Sequence, residues 1–192
     1  LTDSVMNGSD FNLSSDDNEI LRANDVYFDA SATVDGTGSQ SSPYKTVSSS
    51  KLGANNHFAP GTYVITSSLS SLFSFSSSSM TFNGDNRDTT VLQYVGSDTF
   101  LTTSSDVSFS RITLKGASIV STGGLLTATD TIFDSGVANI EEEADHSYYN
   151  NSYGGAIKQS ITSSGFDWGS IWGGSTSTGL KIDNCIFRNN FA

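Results

Sequence analysis

The sequence predicts an all-β chain of short stacked strands, a solenoid, and three observations carry that prediction. Strand-like runs of about 3 to 6 residues recur along the chain with no apolar period of a helix between them. The composition places 18 Gly and only 2 Pro among 192 residues, on a background rich in Ser, and Ser, Thr and Gly are weak helix formers. One pattern also returns. Val107-Ser108-Phe109-Ser110-Arg111-Ile112-Thr113-Leu114-Lys115-Gly116, Leu126 to Gly136, and Leu180 to Asn190 share one plan of strand, bend, strand and polar turn. Aligning Val107, Leu126 and Leu180 brings Phe109, Ala128 and Ile182 together, then Leu114, Phe133 and Phe187. The first two copies are separated by roughly 20 residues, a repeat length typical of solenoids.

Taken in order, residues 1–24 are a polar, acidic lead-in with Asp16-Asp17, expected to be flexible or a peripheral strand. The solenoid domain is expected over 25–192. Val26-Tyr27-Phe28-Asp29-Ala30 is a β-rich run, and Asp35 to Pro43 is a long turn signal rich in Gly and Ser. Ser48 to Asn56 is an irregular or weakly helical stretch suited to plugging the first tier, which otherwise exposes unpaired backbone. Pro60-Gly61 then turns the chain into an alternating strand, Thr62-Tyr63-Val64-Ile65. Leu69, Leu72, Phe73 and Phe75 supply the next apolar set. Met80 to Gly84 and Thr90 to Val95 are strands joined by the polar turn 85–88, and Phe100-Leu101-Thr102 opens another.

Between Val137 and Thr178 the composition changes. Glu141-Glu142-Glu143-Ala144-Asp145 is an acidic knot, and Tyr148, Tyr149, Tyr153, Phe166, Trp168 and Trp172 crowd a Gly/Ser background. Gly154-Gly155-Ala156-Ile157 marks one regular strand within it. The rest reads as loops projecting from the solenoid, the position where binding residues collect.

The formal net charge is −11, from 9 Lys and Arg against 20 Asp and Glu, which argues against nucleic acid or an anionic lipid surface as partner. No run is long enough to span a bilayer and no basic-then-apolar segment opens the chain. The first residue is Leu1, so the sequence is read as a processed form or a fragment of a longer protein. Cys185 is the only cysteine. It can form no internal disulfide, and its place in the repeat predicts an inward-facing small hydrophobe.

The chain resembles the right-handed parallel β-helix of the pectate-lyase-like superfamily, and more closely the adhesin-like surface proteins of methanogenic archaea and polymorphic outer-membrane proteins of chlamydial type. Two features carry the resemblance. The first is Val26 to Ala30, Asp35-Gly36-Thr37-Gly38, Ser42-Pro43-Tyr44-Lys45-Thr46-Val47 and then Pro60-Gly61-Thr62-Tyr63, similar to the entry segment of extracellular β-helices. The second is Gly154-Gly155-Ala156-Ile157 with Phe187-Arg188-Asn189-Asn190, similar to the GGAI and FxxN repeat of those surface proteins. The resemblance implies a right-handed parallel β-helix with an N-terminal cap, at a cell surface, as a non-catalytic adhesin-like binder of a glycan or a partner cell surface. Two alternatives share the scaffold: a polysaccharide lyase or glycoside hydrolase, and a structural unit of a cell envelope or filament that self-associates through further rungs.

The candidate chemistry follows from residue type. Tyr148, Tyr149, Tyr153, Phe166, Trp168 and Trp172 are the candidate ligand site, because sugar rings stack on aromatic faces and protein partners use the same anchors. Calcium is the one candidate cofactor, with Glu141, Glu142, Glu143 and Asp145 as one oxygen-donor set and Asp29 and Asp35 as another. Asn7, Asn12 and Asn150 open N-x-S/T patterns and are candidate glycan acceptors. No catalytic residue is assigned. Asp106, Asp130, Asp134 and Asp183 recur near turns, where a stacked carboxylate pair would suit hydrolysis and plain turn chemistry would equally place Asp. His57 and His146 are expected as solvated surface histidines rather than a metal pair.

Overall fold

The computed structural model describes residues 25–69, 79–136, 156–159 and 179–190, and these form an all-β chain with parallel sheets. The lead-in 1–24 and most of 137–178 lie outside the described residues.

Six strands make the largest sheet: β1 (Asp25–Phe28), β2 (Asn55–Phe58), β4 (Met80–Gly84), β7 (Val107–Ser110), β10 (Leu125–Thr129) and β13 (Gly179–Asp183), side by side in that order. A second sheet holds β3 (Gly61–Ile65), β5 (Thr90–Tyr94), β8 (Thr113–Lys115), β11 (Ile132–Asp134) and β14 (Ile186–Arg188). A third holds β6 (Leu101–Thr103), β9 (Ile119–Ser121) and β12 (Ile157–Gln159). Every pairing among these strands is parallel, and lateral neighbours come from successive repeats. The register is the one the repeat predicts: Val107, Leu126 and Leu180 stand in line, as do Leu114, Phe133 and Phe187.

Parallel strands need both faces managed, and here the two-residue alternation does it. Along β5 residues alternate between buried and half-buried, with Leu92 and Tyr94 inward. In the six-stranded sheet the inward positions carry a column of phenylalanines. Phe28, Phe58, Phe82 and Phe109 stack with centroid separations of 4.7, 6.2 and 4.9 Å, and all four are buried. Burying each such ring contributes about 1.5–3 kcal/mol. Ala128 continues the column with a small side chain.

The corners use left-handed backbone. Arg111, Asp130 and Asn184, each four residues after the aligned Val107, Leu126 and Leu180, have φ of 53°, 50° and 48°. Gly116, Ser135 and Asn189 occupy the next corner with φ of 68°, 59° and 54°. Asn tolerates this region better than most residues, and here the amides bond to the preceding tier. Asn184 donates to Asp130 at 3.0 Å, Asn189 to Asp134 at 3.1 Å, and Asn190 to the Phe133 carbonyl at 3.0 Å.

The free edge of β1 is occupied by the 36–44 turn: the Tyr27 amide donates to Gly38 O, and Tyr44 N donates to Tyr27 O, both at 2.9 Å. The plug expected over Ser48 to Asn56 is shorter than that, one 3₁₀ turn at Ser49–Lys51, and strand β2 already begins at Asn55. A second correction concerns the last repeat. Ile182 and Phe187 hold the predicted register, and Cys185 packs partly buried against the core with its thiol 3.4 Å from the Ala128 carbonyl. Yet Ile182 and Phe187 are 37% and 49% exposed, because β13 and β14 have a neighbour on one side only among the described strands. The Phe187 ring covers that one side by stacking on Phe133 at 4.7 Å.

Candidate functional site

Inward alternation forces the intervening residues of the six-stranded sheet outward, where they form two polar rows. Asp25, Asn55, Thr81 and Ser108 make one, and Tyr27, His57, Asn83 and Ser110 the other. The rows are cross-linked: Thr81 Oγ1 donates to Asn55 Oδ1 at 3.2 Å, Asn83 Nδ2 to Thr81 Oγ1 at 2.9 Å, and Ser110 Oγ to Asn83 Oδ1 at 2.8 Å. The His57 ring lies on Tyr27 at 4.8 Å with an 18° tilt, and its Nε2 is 3.1 Å from Asp25 Oδ1. His57 was expected to be a solvated histidine; it is half-exposed, fixed between an aromatic ring and a carboxylate.

At the end of these rows lies a cleft of about 330 Å³, bounded by Tyr27, His57 and Asn83 on the sheet, Gln40 and Pro43 from the turn over β1, and Asp29, Asp85 and Arg111 from the corners. Gly84 makes the geometry possible, since a Cβ there would meet the Arg111 carbonyl oxygen at 2.3 Å. Arg111 itself holds a left-handed φ of 53°, the corner conformation it shares with Asp130 and Asn184, and this sets the start of its side chain at the cleft rim. Its guanidinium and the Asp85 carboxylate make no hydrogen bond or ion pair among the described residues. Asp29 is engaged: Ser31 Oγ and Ser31 N donate to Oδ1 at 2.6 and 2.8 Å, and these bonds lower its pKa. Beneath the cleft, Tyr63 OH accepts from Ala30 N and contacts the carbonyls of Phe28 and Ala59 at 3.0 and 2.9 Å. Burial, with the Asp29 and Asp85 charges adding to it, pushes that phenol up to about 12. Tyr63 is therefore a neutral strut and the cleft carries its charge on Asp29, Asp85 and Arg111.

The predicted aromatic site, Tyr148, Tyr149, Tyr153, Phe166, Trp168 and Trp172, lies outside the described residues, as do Glu141, Glu142, Glu143 and Asp145 and the glycan acceptors Asn7, Asn12 and Asn150. Asp29 and Asp35 are described and have separate partners. Asp35 accepts from Lys45 N at 2.8 Å and Thr46 N at 3.2 Å and pairs with Lys51, which holds its carboxyl at about 2. Among the described residues no group of three His, Cys, Asp or Glu is placed to hold a metal ion.

The turn aspartates stack beside cations and amides. Asp130 pairs with Arg87 at 2.9 Å and takes the Asn184 amide; Asp134 pairs with Arg188 at 2.9 Å; Asp106 accepts from Leu125 N at 2.7 Å. Burial opposes charge on Asp134, but bonds from Asn189, Ser135 and Arg188 outweigh it and lower its pKa. These three carboxylates are spent on holding tiers together.

Apart from Asp29, a calcium candidate, the cleft residues were not selected from sequence. β2 reads Asn-Asn-His-Phe and has no apolar alternation of its own, so the register that sets His57 beside Tyr27 and Asn83 was invisible. The available signal was Asn83-Gly84-Asp85, a glycine between polar residues at a strand end, which marks a close backbone approach. No family model, no curated protein and no solved structure matches the chain.

Proposed function

We propose that the chain is a right-handed parallel β-helix with an N-terminal cap, exported to a cell surface, that binds a glycan without catalysis in the cleft over Tyr27, His57, Asn83, Asp85 and Arg111. The parallel three-sheet arrangement in unbroken register supports the architecture, and the turn that occupies the edge of β1 supports the cap. The observation that carries the ligand reading is the meeting, in one open cleft, of an exposed carboxylate and guanidinium, neither paired among the described residues, with the stacked Tyr27 and His57 rings. Sugar recognition needs that combination: polar groups converging on hydroxyls, and apolar surface against ring C–H groups. The net charge of −11 favours a neutral glycan over a polyuronate.

The test compares binding of neutral and acidic oligosaccharides by calorimetry for the parent chain, Asp85→Asn and Arg111→Gly. Glycine relieves the left-handed backbone at 111, so Arg111→Gly is expected to fold at least as stably as the parent while losing about tenfold or more in affinity. Unchanged affinity in both variants overturns the cleft as the site. Release of product from any of the same saccharides overturns the non-catalytic assignment.

A further inference from the structure

The corners at the end of the six-stranded sheet set charges in a fixed order along the stack. Phe28, Phe58 and Gly84 pair in line, so the residues that follow them, Asp29, Ala59 and Asp85, stand in one column on successive tiers. Arg111 follows Ser110, the partner of Asn83, and so belongs to the tier beyond. Neighbouring strands lie about 4.8 Å apart, which separates the Asp29 and Asp85 backbones by roughly 10 Å. Between them Ala59 presents only a methyl group, and all three residues line the cleft.

The gap over Ala59 is rich in acceptors and poor in donors. Asp29 takes both Ser31 bonds on Oδ1, which leaves Oδ2 without a partner among the described residues, and those bonds favour its ionised form. Asp85 is exposed, and its carboxylate accepts no bond among the described residues. The backbone supplies no donor, because the Ala59 and Asp85 amides already donate to the carbonyls of Phe28 and Phe58. The Tyr63 hydroxyl is likewise committed to the Phe28 and Ala59 carbonyls. The cleft's guanidinium starts on the far side of Asp85, so the gap is flanked by negative charge alone.

We infer that this gap takes a primary ammonium group, and that the glycan of the cleft is an amino sugar held by its charged nitrogen between Asp29 and Asp85. The inference rests on the glycan reading and narrows it to one chemical class. An ammonium brings three N–H donors and no acceptor, the complement of a pocket of acceptors, and its bonds to carboxylates are of the strong, charge-assisted kind. Calcium asks for six to eight oxygens, and among the described residues no three acidic or imidazole groups gather to begin such a shell. The net charge of −11 that disfavours a polyuronate makes a cationic saccharide the favoured complement. Arg111, one tier further on, is left for hydroxyls of the adjoining sugar.

Calorimetry with three tetrasaccharides reads the outcome: one of glucosamine, one of N-acetylglucosamine and one of glucose, at a pH where the free amine is charged. The glucosamine tetramer is expected to bind the parent chain about tenfold more tightly than the other two. Asp29→Asn and Asp85→Asn are each expected to remove most of that preference. Asp88→Asn deletes an exposed charge in the same turn but outside the cleft, and is expected to keep it, which separates a specific contact from the attraction of any cation to an acidic surface. Equal melting curves confirm that the variants fold. Equal binding of the aminated and acetylated tetramers overturns the inference while leaving the glycan reading in place. A preference that survives both cleft variants, or that Asp88→Asn removes as fully as they do, also overturns it. Binding of none of the three tetramers overturns the glycan reading, and the inference with it.

Discussion

Replacing Phe82 by Ala removes the third ring of the phenylalanine column. Phe82 is fully buried, with Phe58 at 6.2 Å on one side and Phe109 at 4.9 Å on the other, both nearly parallel to it. A buried Phe→Ala change costs about 3–5 kcal/mol from lost transfer energy and the cavity left behind, and each aromatic contact adds about 0.5–1.5 kcal/mol beyond area. The neighbours cannot close the gap, because each is pinned in its own strand at fixed register. The expected loss is therefore near the top of the range, about 4–5 kcal/mol. With a urea dependence of about 2 kcal/mol per molar, the unfolding midpoint followed by circular dichroism falls by about 2 M. Thr127→Ala, on the outward face of β10, is the control and should move stability by no more than about 0.5 kcal/mol. A midpoint shift for Phe82→Ala no larger than the control's would refute the column as the principal support of the sheet.

The ion pair at the cap gives a pH dependence. Asp35 has a folded pKa of about 2 against an ordinary 3.8, so its contribution is complete above about pH 4 and is lost as pH falls toward 2. Urea midpoints of the parent and Asp35→Asn should converge across that window; a gap that stays constant contradicts the Lys51 pairing. Gly124 has a φ of 69° and a Cβ there would meet the Ser105 carbonyl carbon at 2.4 Å, so Gly124→Ala is expected to cost about 1–3 kcal/mol in thermal unfolding. Asn184→Ala loses the amide bond to Asp130 and the residue type that tolerates a φ of 48°, and should cost about 1–2 kcal/mol, whereas Asn184→Gly should cost less. Equal loss in the two variants would show that backbone strain contributes nothing there.

What the sequence made legible was the repeat. Val107, Leu126 and Leu180 could be aligned because each begins an alternating run that ends in a polar turn, and the observed register follows that alignment residue for residue. Strands that place a polar residue at an inward position carried a weaker signal: β2, with Asn56 buried beside Phe58, and β9, Ile119–Ser121, with Ser121 buried beside Ile119. Asn56 is inward because its amide serves backbone rather than water, accepting from Gly53 N at 2.9 Å and donating to Gly53 O and Thr81 O, each at 3.0 Å. Burial of a satisfied amide cannot be read from hydropathy. The cleft was illegible for a related reason. Tyr27, His57, Asn83, Asp85 and Arg111 come from four separate repeats, and only lateral pairing across those repeats gathers them.

The paired left-handed corners set a rule about length. Gly116, Ser135 and Asn189 each follow nine residues after Val107, Leu126 and Leu180, whereas the chain between one such unit and the next varies widely. The corner unit behaves as a fixed cassette and the rest of each repeat as an adjustable spacer. Deleting one residue inside Leu126–Ser135 would turn every later side chain of that tier to the wrong face. The spacing between cassettes, by contrast, ranges from 19 residues (Val107 to Leu126) to 54 (Leu126 to Leu180) with the register kept, while Ala156 and β12 within the longer interval pack into the core and the third sheet. Length between cassettes is thus the variable that this scaffold tolerates, and residues that pair into a sheet are the ones that it does not.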